Sequence, residues 1–167
     1  MNEKRLKVLK SLQSEEPTDL KRLVEEAGLS LGETLGIMRS LVKRGFVKRS
    51  GKEYLRAVKG KIALKALSPV PPERAFRFYT GIGQYTDVLA ESLEDFLEKL
   101  KTIDIKSLEF HASRGDFENW IVGIFGDEEL AGNLGKIRES GLTGESLRNR
   151  LLQAVDARYS EFRWLAA

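Results

Sequence analysis

The stretch from Pro17 to Lys61 constrains this chain most, because it reads as two helices joined by a tight turn and followed by a basic hairpin. Thr18 or Pro17 opens a helix over Asp19–Ala27 with Leu20, Leu23 and Val24 on its buried side. Gly28 ends it, since glycine tolerates the left-handed conformation that helix ends often need. Ser30-Leu-Gly-Glu33 then has the spacing of a capping box, in which the serine hydroxyl meets the N3 amide and the glutamate reaches back. Leu31, Leu35, Met38 and Leu41 or Val42 recur at three to four residues, predicting a third helix packed on its predecessors and stopped by Gly45. Phe46–Arg49, Ser50-Gly51 and Lys52–Leu55 read as strand, turn and strand.

On either side the pattern extends. Leu6, Leu9 and Leu12 give residues 2–13 a helical stripe opposite Lys4, Lys7 and Ser11, and residues 57–67 predict a short fourth helix. Ser68-Pro-Val-Pro-Pro72 favours an extended connector. The domain reading is therefore residues 1–67, a linker at 68–75 and a second domain at 76–167. In the second domain, Ala75–Thr80 alternates like a strand, with Gln84–Leu89 as its antiparallel partner across Gly81-Ile-Gly83. Ser92–Lys101 predicts a helix, residues 107–139 look mainly helical with breaks near Gly115 and Gly126, and Thr143–Trp164 is the longest helical candidate. The expected class is α+β and mostly helical, with a smaller sheet in a helix-rich second domain.

Charge divides along the same line. Residues 1–66 carry 16 Lys and Arg against 8 Asp and Glu, while residues 67–167 carry 12 against 17, so the net +3 conceals halves of +8 and −5. Such asymmetry favours one half that meets a polyanion and another that is repelled by it. With no cysteine, disulfides, thiolate metal sites and cysteine nucleophiles are excluded together. No apolar run approaches the length of a membrane span, and Met1–Lys10 reads as a charged amphipathic start rather than a signal peptide. A cytoplasmic protein without cofactor, metal or membrane contact is expected. Few Asn and Gln beside abundant Lys, Arg and Glu hint at a thermophilic source.

The segment DLKRLVEEAGLSLGETLGIMRSLVKRGFV, from Asp19 to Val47, with its basic hairpin, resembles the winged helix-turn-helix domains of archaeal and bacterial transcription regulators. The second half, with FRFYTGIG from Phe76, SLEDFLEKL from Ser92 and SLEFHASRGDFENWI from Ser107, resembles an uncharacterised prokaryotic domain family found in archaeal proteins of this two-part layout. The first resemblance implies that the third helix enters a major groove and the hairpin, or wing, grips phosphates. Its outward candidates are Glu33, Thr34, Ile37, Arg39, Ser40, Lys43 and Arg44. Gly32, Gly36 and Ile37 are poor base readers, and Glu33 faces a polyanion unfavourably unless the capping box consumes it. In and around the wing, Lys43, Arg44, Lys48, Arg49, Lys52, Arg56, Lys59 and Lys61 are opposed only by Glu53, a density that binds phosphate without regard to sequence. Tyr54 is either half-buried beneath the wing or free to stack on a base.

In the second half, His111 sits near Arg114, Asp116 and Trp120. A histidine beside a carboxylate is the minimum for acid–base work or a ligand site, whereas the structural alternative pairs Arg114 with Asp116 and uses His111 and Trp120 for packing. Gly81-Ile-Gly83 lacks the rest of a dinucleotide fingerprint and reads as a hairpin turn. The terminal helix covers the second core, forms a dimer surface, or does both.

Three functions compete. The first is a non-enzymatic DNA-binding transcription regulator, a homodimer whose acidic domain dimerises it or senses a ligand. The second is a ribosome-associated factor gripping ribosomal RNA by the same wing and meeting a basic ribosomal protein, or its own copy, through the acidic domain. The third is an enzyme centred on His111.

Overall fold

Ser30 has extended backbone, and its hydroxyl accepts from the Glu33 amide at 3.2 Å while the Glu33 carboxylate accepts from the Ser30 amide at 3.3 Å. Two otherwise orphaned donors are satisfied reciprocally, and a helix begins. This is α3 (Leu31–Lys43). Before it come α1 (Lys4–Ser11), a two-residue strand β1 (Thr18–Asp19) and α2 (Leu20–Ala27), in the computed structural model, which describes residues 2–167. Thr18 does not open α2. It pairs with Tyr54, and Asp19 takes the N-cap, accepting from the Arg22 amide at 2.8 Å. Gly28 closes α2 at φ +64°.

The hairpin follows as β2 (Val47–Ser50) and β3 (Glu53–Arg56), with β1 added on the far side of β3 to give the order β1-β3-β2. Gly51 occupies the first of two loop positions at φ +62°, the requirement of a II′ turn. The helix α4 (Val58–Ala66) comes next. Leu9, Leu12, Leu23, Ala27, Met38, Leu41 and Phe46 are buried among these elements. Leu31, predicted to pack inward, is instead 55% exposed, because the buried side of α3 runs through Thr34, Met38 and Leu41.

One compact unit comprises residues up to Leu64 together with Phe162–Ala167, and the other spans Lys65–Glu161. The end of the chain thus belongs with the first unit rather than with residues 76–161. Phe162 and Leu165 are fully buried, the Trp164 ring stacks on Phe46 at 6.0 Å, and Arg5 donates to the Trp164 carbonyl at 2.8 Å.

The second unit carries β4 (Phe76–Tyr79) and β5 (Tyr85–Ala90), antiparallel, then α5 (Leu93–Thr102), α6 (Ile105–Arg114), α7 (Asp116–Phe125), α8 (Glu128–Glu139) and α9 (Gly144–Arg163), the last reaching beyond it. The register shifts between Arg77 and Tyr79, and opposite this bulge Asp87 takes φ +63°, a left-handed conformation that a non-glycine residue adopts only at a cost. The core is aromatic. Phe76 lies against Phe78, Phe96, Phe117 and Trp120 at centroid distances of 4.8 to 5.6 Å. The proline-rich stretch is not an extended connector here. Val70 is buried and its amide donates to the Glu91 carbonyl at 2.7 Å, while Pro72–Arg74 forms a 3-10 turn whose Arg74 carbonyl accepts from the Trp120 indole at 2.9 Å. The class is α+β and mostly helical, as the periodicity predicts.

Candidate functional site

The outward side of α3 follows from what its inward side buries. Gly32, Gly36, Arg39 and Lys43 are exposed at three- and four-residue spacing, so they form one stripe. A methyl group added at Gly32 or Gly36 would meet nothing within 4 Å, so neither glycine is needed for packing inside the protein. Thr34 leaves the candidate set: it is fully buried, and its hydroxyl donates to the Ser30 carbonyl at 2.9 Å. Ser40 is half-buried and donates its one hydroxyl proton to the Gly36 carbonyl at 3.2 Å, keeping only acceptor capacity. Glu33 is consumed by the capping box and by Lys4, whose ammonium stands 2.6 Å from it. That lysine hydrogen bond is the main reason the Glu33 carboxyl is held below the usual carboxylate range.

The eight cations of the wing segment divide by what they touch. Arg56 donates to the carbonyls of Leu9, Lys10 and Leu12, closing the C-terminal end of α1, and burial pushes its pKa down. This is a structural position rather than a phosphate contact, because the terminal carbonyls of a helix have no partners of their own. Lys59 donates to the Arg44 carbonyl at 3.1 Å with its ammonium 4.9 Å from the Phe46 ring, and the Arg44 guanidinium lies 4.0 Å from the Trp164 ring. These two are bound to the protein itself. Lys43, Lys48, Lys52 and Lys61 are exposed, and among the described residues none has an acidic partner. Arg49 is also exposed; its Nε donates to the Gly51 carbonyl at 3.0 Å and its guanidinium stands 6.0 Å from the half-buried Tyr54 ring.

In the second unit His111 is 4% exposed. Its Nε2 accepts from the Tyr79 amide at 2.8 Å, so the proton of the neutral ring lies on Nδ1, which donates to Asp116 Oδ2 at 2.8 Å. The Arg114 Nε donates to the same oxygen at 3.1 Å. Burial lowers the His111 pKa against the opposing pull of Asp116, and protonation would break the Tyr79 bond. Both ring nitrogens are therefore committed, which deprives the imidazole of the free lone pair a general base needs. Trp120 takes no part in this cluster beyond packing, with its indole N–H on the Arg74 carbonyl.

Beside His111 opens a cleft of about 430 Å³ lined by Phe76, Arg77, Tyr79, Ile82, Phe110, Arg114 and Asp116 together with the Gly81–Gly83 turn. Of these, the sequence singled out only Arg114 and Asp116 as candidates. Arg77, Tyr79 and Phe110 carry no motif; they meet through the pairing of β4 with β5 and the packing of α6 against β4.

Residues 52–156 match a family of unknown function, DUF5752. The chain belongs to that family. Residues 3–51 match the IclR helix-turn-helix domain. The two matches meet at the wing tip, so in this DUF5752 protein β3 and α4 fall within the family match although they build the sheet and core of the first unit. No curated protein and no solved structure matches the chain. No helix among the described residues is long and apolar enough to cross a membrane.

Proposed function

We propose that this protein is a DNA-binding transcription regulator that grips a duplex with α3 and the β2–β3 wing. The observation that carries the reading is an IclR-type helix-turn-helix whose outward helix face and wing present cations with no acidic partner among the described residues. The contact set is Arg39, Ser40 and Lys43 on α3 with Lys48, Arg49, Lys52 and Lys61 around the wing. Arg39 and Lys43 sit one turn apart on a face whose other members are bare glycines, an arrangement that admits close approach of a sugar-phosphate backbone but offers few base-reading side chains. Binding is accordingly backbone-dominated and salt-sensitive. A homodimer would present two such helices to half-sites one helical turn apart. No observation favours ribosomal RNA over DNA as the partner.

The test is fluorescence anisotropy with duplex DNA over a salt series. Neutralising Z phosphates gives a log–log slope of about −0.9Z, so replacing Lys48, Arg49 and Lys52 together by Gln should flatten the slope by about 3 and weaken binding at least tenfold. Affinity and slope unchanged in that triple variant would overturn the proposal.

A further inference from the structure

The cleft beside His111 combines features that a merely structural packing fault would not. Its volume of about 430 Å³ lies within the range of small-molecule sites, and Phe76, Tyr79, Phe110 and Ile82 give it apolar walls. Its charged lining runs against the unit that contains it. Residues 65–161 carry 12 Lys and Arg against 17 Asp and Glu, yet the cleft holds Arg77 and Arg114 against Asp116 alone. Asp116 is already engaged by His111 and Arg114 through one oxygen. Arg114 uses Nε for that bond, and Arg77 uses one terminal nitrogen on the Pro72 carbonyl at 3.1 Å, so both guanidinium groups keep further N–H donors. His111 adds no charge at neutral pH.

Two further observations point to a ligand at this place. Ile82, between Gly81 and Gly83 at the tip of the β4–β5 hairpin, lines the cleft and is 87% exposed. From the rim of the cleft its side chain is placed to cover the apolar part of a molecule bound there. The bulge between Arg77 and Tyr79, with Asp87 at φ +63° across from it, distorts the strand segment that contributes two lining residues, and bulges recur where a strand must re-aim a side chain at a site.

We propose that this cleft binds a small carboxylic acid with an apolar body, its carboxylate held by Arg77 and Arg114 and its body between Phe76, Phe110 and Ile82. An arginine fork suits a carboxylate, and apolar walls with one cationic end select an amphipathic monoanion over both inorganic phosphate and a neutral hydrocarbon. His111 acts as a positioning residue. By tying the Tyr79 amide to Asp116, which in turn holds Arg114, it fixes the cationic wall relative to β4. The site owes nothing to the helix-turn-helix, so it stands or falls separately from DNA binding.

Isothermal titration of the full chain with hexanoate and with phenylacetate tests this, each paired with its neutral amide, and with inorganic phosphate as a further probe. Saturable binding of at least one acid is expected, at least tenfold tighter than its amide or phosphate. The preferred acid distinguishes an alkyl from an aryl body. Arg77→Gln and Arg114→Gln should each weaken binding about tenfold or more. Ile82→Ser, at a position too exposed to affect folding, should weaken the acid severalfold. Absence of saturable binding by both acids, equal binding of acid and amide, or affinity indifferent to both arginine substitutions would overturn the proposal. Circular dichroism of the two arginine variants guards against misfolding; if either is unfolded, the Ile82→Ser titration decides, and unchanged affinity there counts against the site.

Discussion

The Arg44 guanidinium lies 4.0 Å from the centroid of the Trp164 ring, joining the C-cap of α3 to a residue 120 positions later. Arg5 stands 4.2 Å from the same ring, and Phe46 stacks on it with planes 6° apart. Trp164→Ala removes two cation–π contacts and an aromatic stack from a half-buried site, and is expected to lower unfolding free energy by about 2 kcal/mol. Urea denaturation followed by circular dichroism measures it. Arg44→Gln should cost stability and leave the salt slope of DNA binding nearly unchanged, which separates a ring partner from a phosphate contact.

Arg158 and Asp127 form a buried pair, 6% and 1% exposed, with two N–H···O bonds of 2.8 and 3.0 Å. Asp127 also caps α8 by accepting from the Leu130 amide at 3.1 Å. Asp127→Ala removes both of these bonds and uncaps α8, leaving Arg158 to the more exposed carboxylates of Glu129 and Glu161, so a loss of about 2–4 kcal/mol is expected. Failure of the variant to melt at least about 4 °C lower, the smallest shift such a loss gives in a chain of this size, would contradict the assignment.

Burial lowers the His111 pKa in the folded state, while the unfolded chain titrates near the ordinary value of about 6.5. The unfolded state therefore binds the proton more tightly. The stability contributed is fully present above about pH 6.5 and is lost as pH falls below that value toward the folded pKa. Unfolding free energies at about pH 7.5 and pH 5.5 should differ in this sense, and His111→Gln should reduce the difference. A protein more stable at the lower pH would contradict the neutral, doubly bonded imidazole.

Two helical glycines should respond oppositely to alanine. At Gly36 the new methyl meets open space in a helix interior, so Gly36→Ala should stabilise by about 1 kcal/mol while weakening DNA binding. At Gly60 the methyl would run into the Phe46 carbonyl and press on Leu9, and α4 would have to back away. Gly60→Ala should cost about 2 kcal/mol. Thermal melts of both variants give the comparison directly.

Much of the helical framework was legible because it rests on local chemistry. The Ser30–Glu33 box, the Gly28 cap and the breaks at Gly115 and Gly126 act within a few residues, and the structure has them all, while the hairpin turn falls one residue later than read, on Gly51 and Lys52. What the sequence hid is what depends on partners far away in the chain. Arg56 looks like one more wing cation until α1 brings its last carbonyls alongside, and Thr34 looks outward until the phase of α3 is set by Met38 and Leu41. His111 and Asp116 are near enough in sequence to suggest a cluster. Only the register of β4 brings the Tyr79 amide to the second ring nitrogen and turns a candidate base into a fixed strut.

Because Phe162, Trp164 and Leu165 pack with residues 2–64, the helix-turn-helix unit cannot complete its core until the chain has been synthesised past residue 165. Closing so long a loop adds an entropic cost that grows only slowly with length, but it imposes an order on synthesis. The intervening unit is free to fold first, and the nascent helix-turn-helix waits for its final segment. A fragment ending at residue 67 would accordingly present α3 on an open core, and should be judged by its solubility before its affinity is trusted.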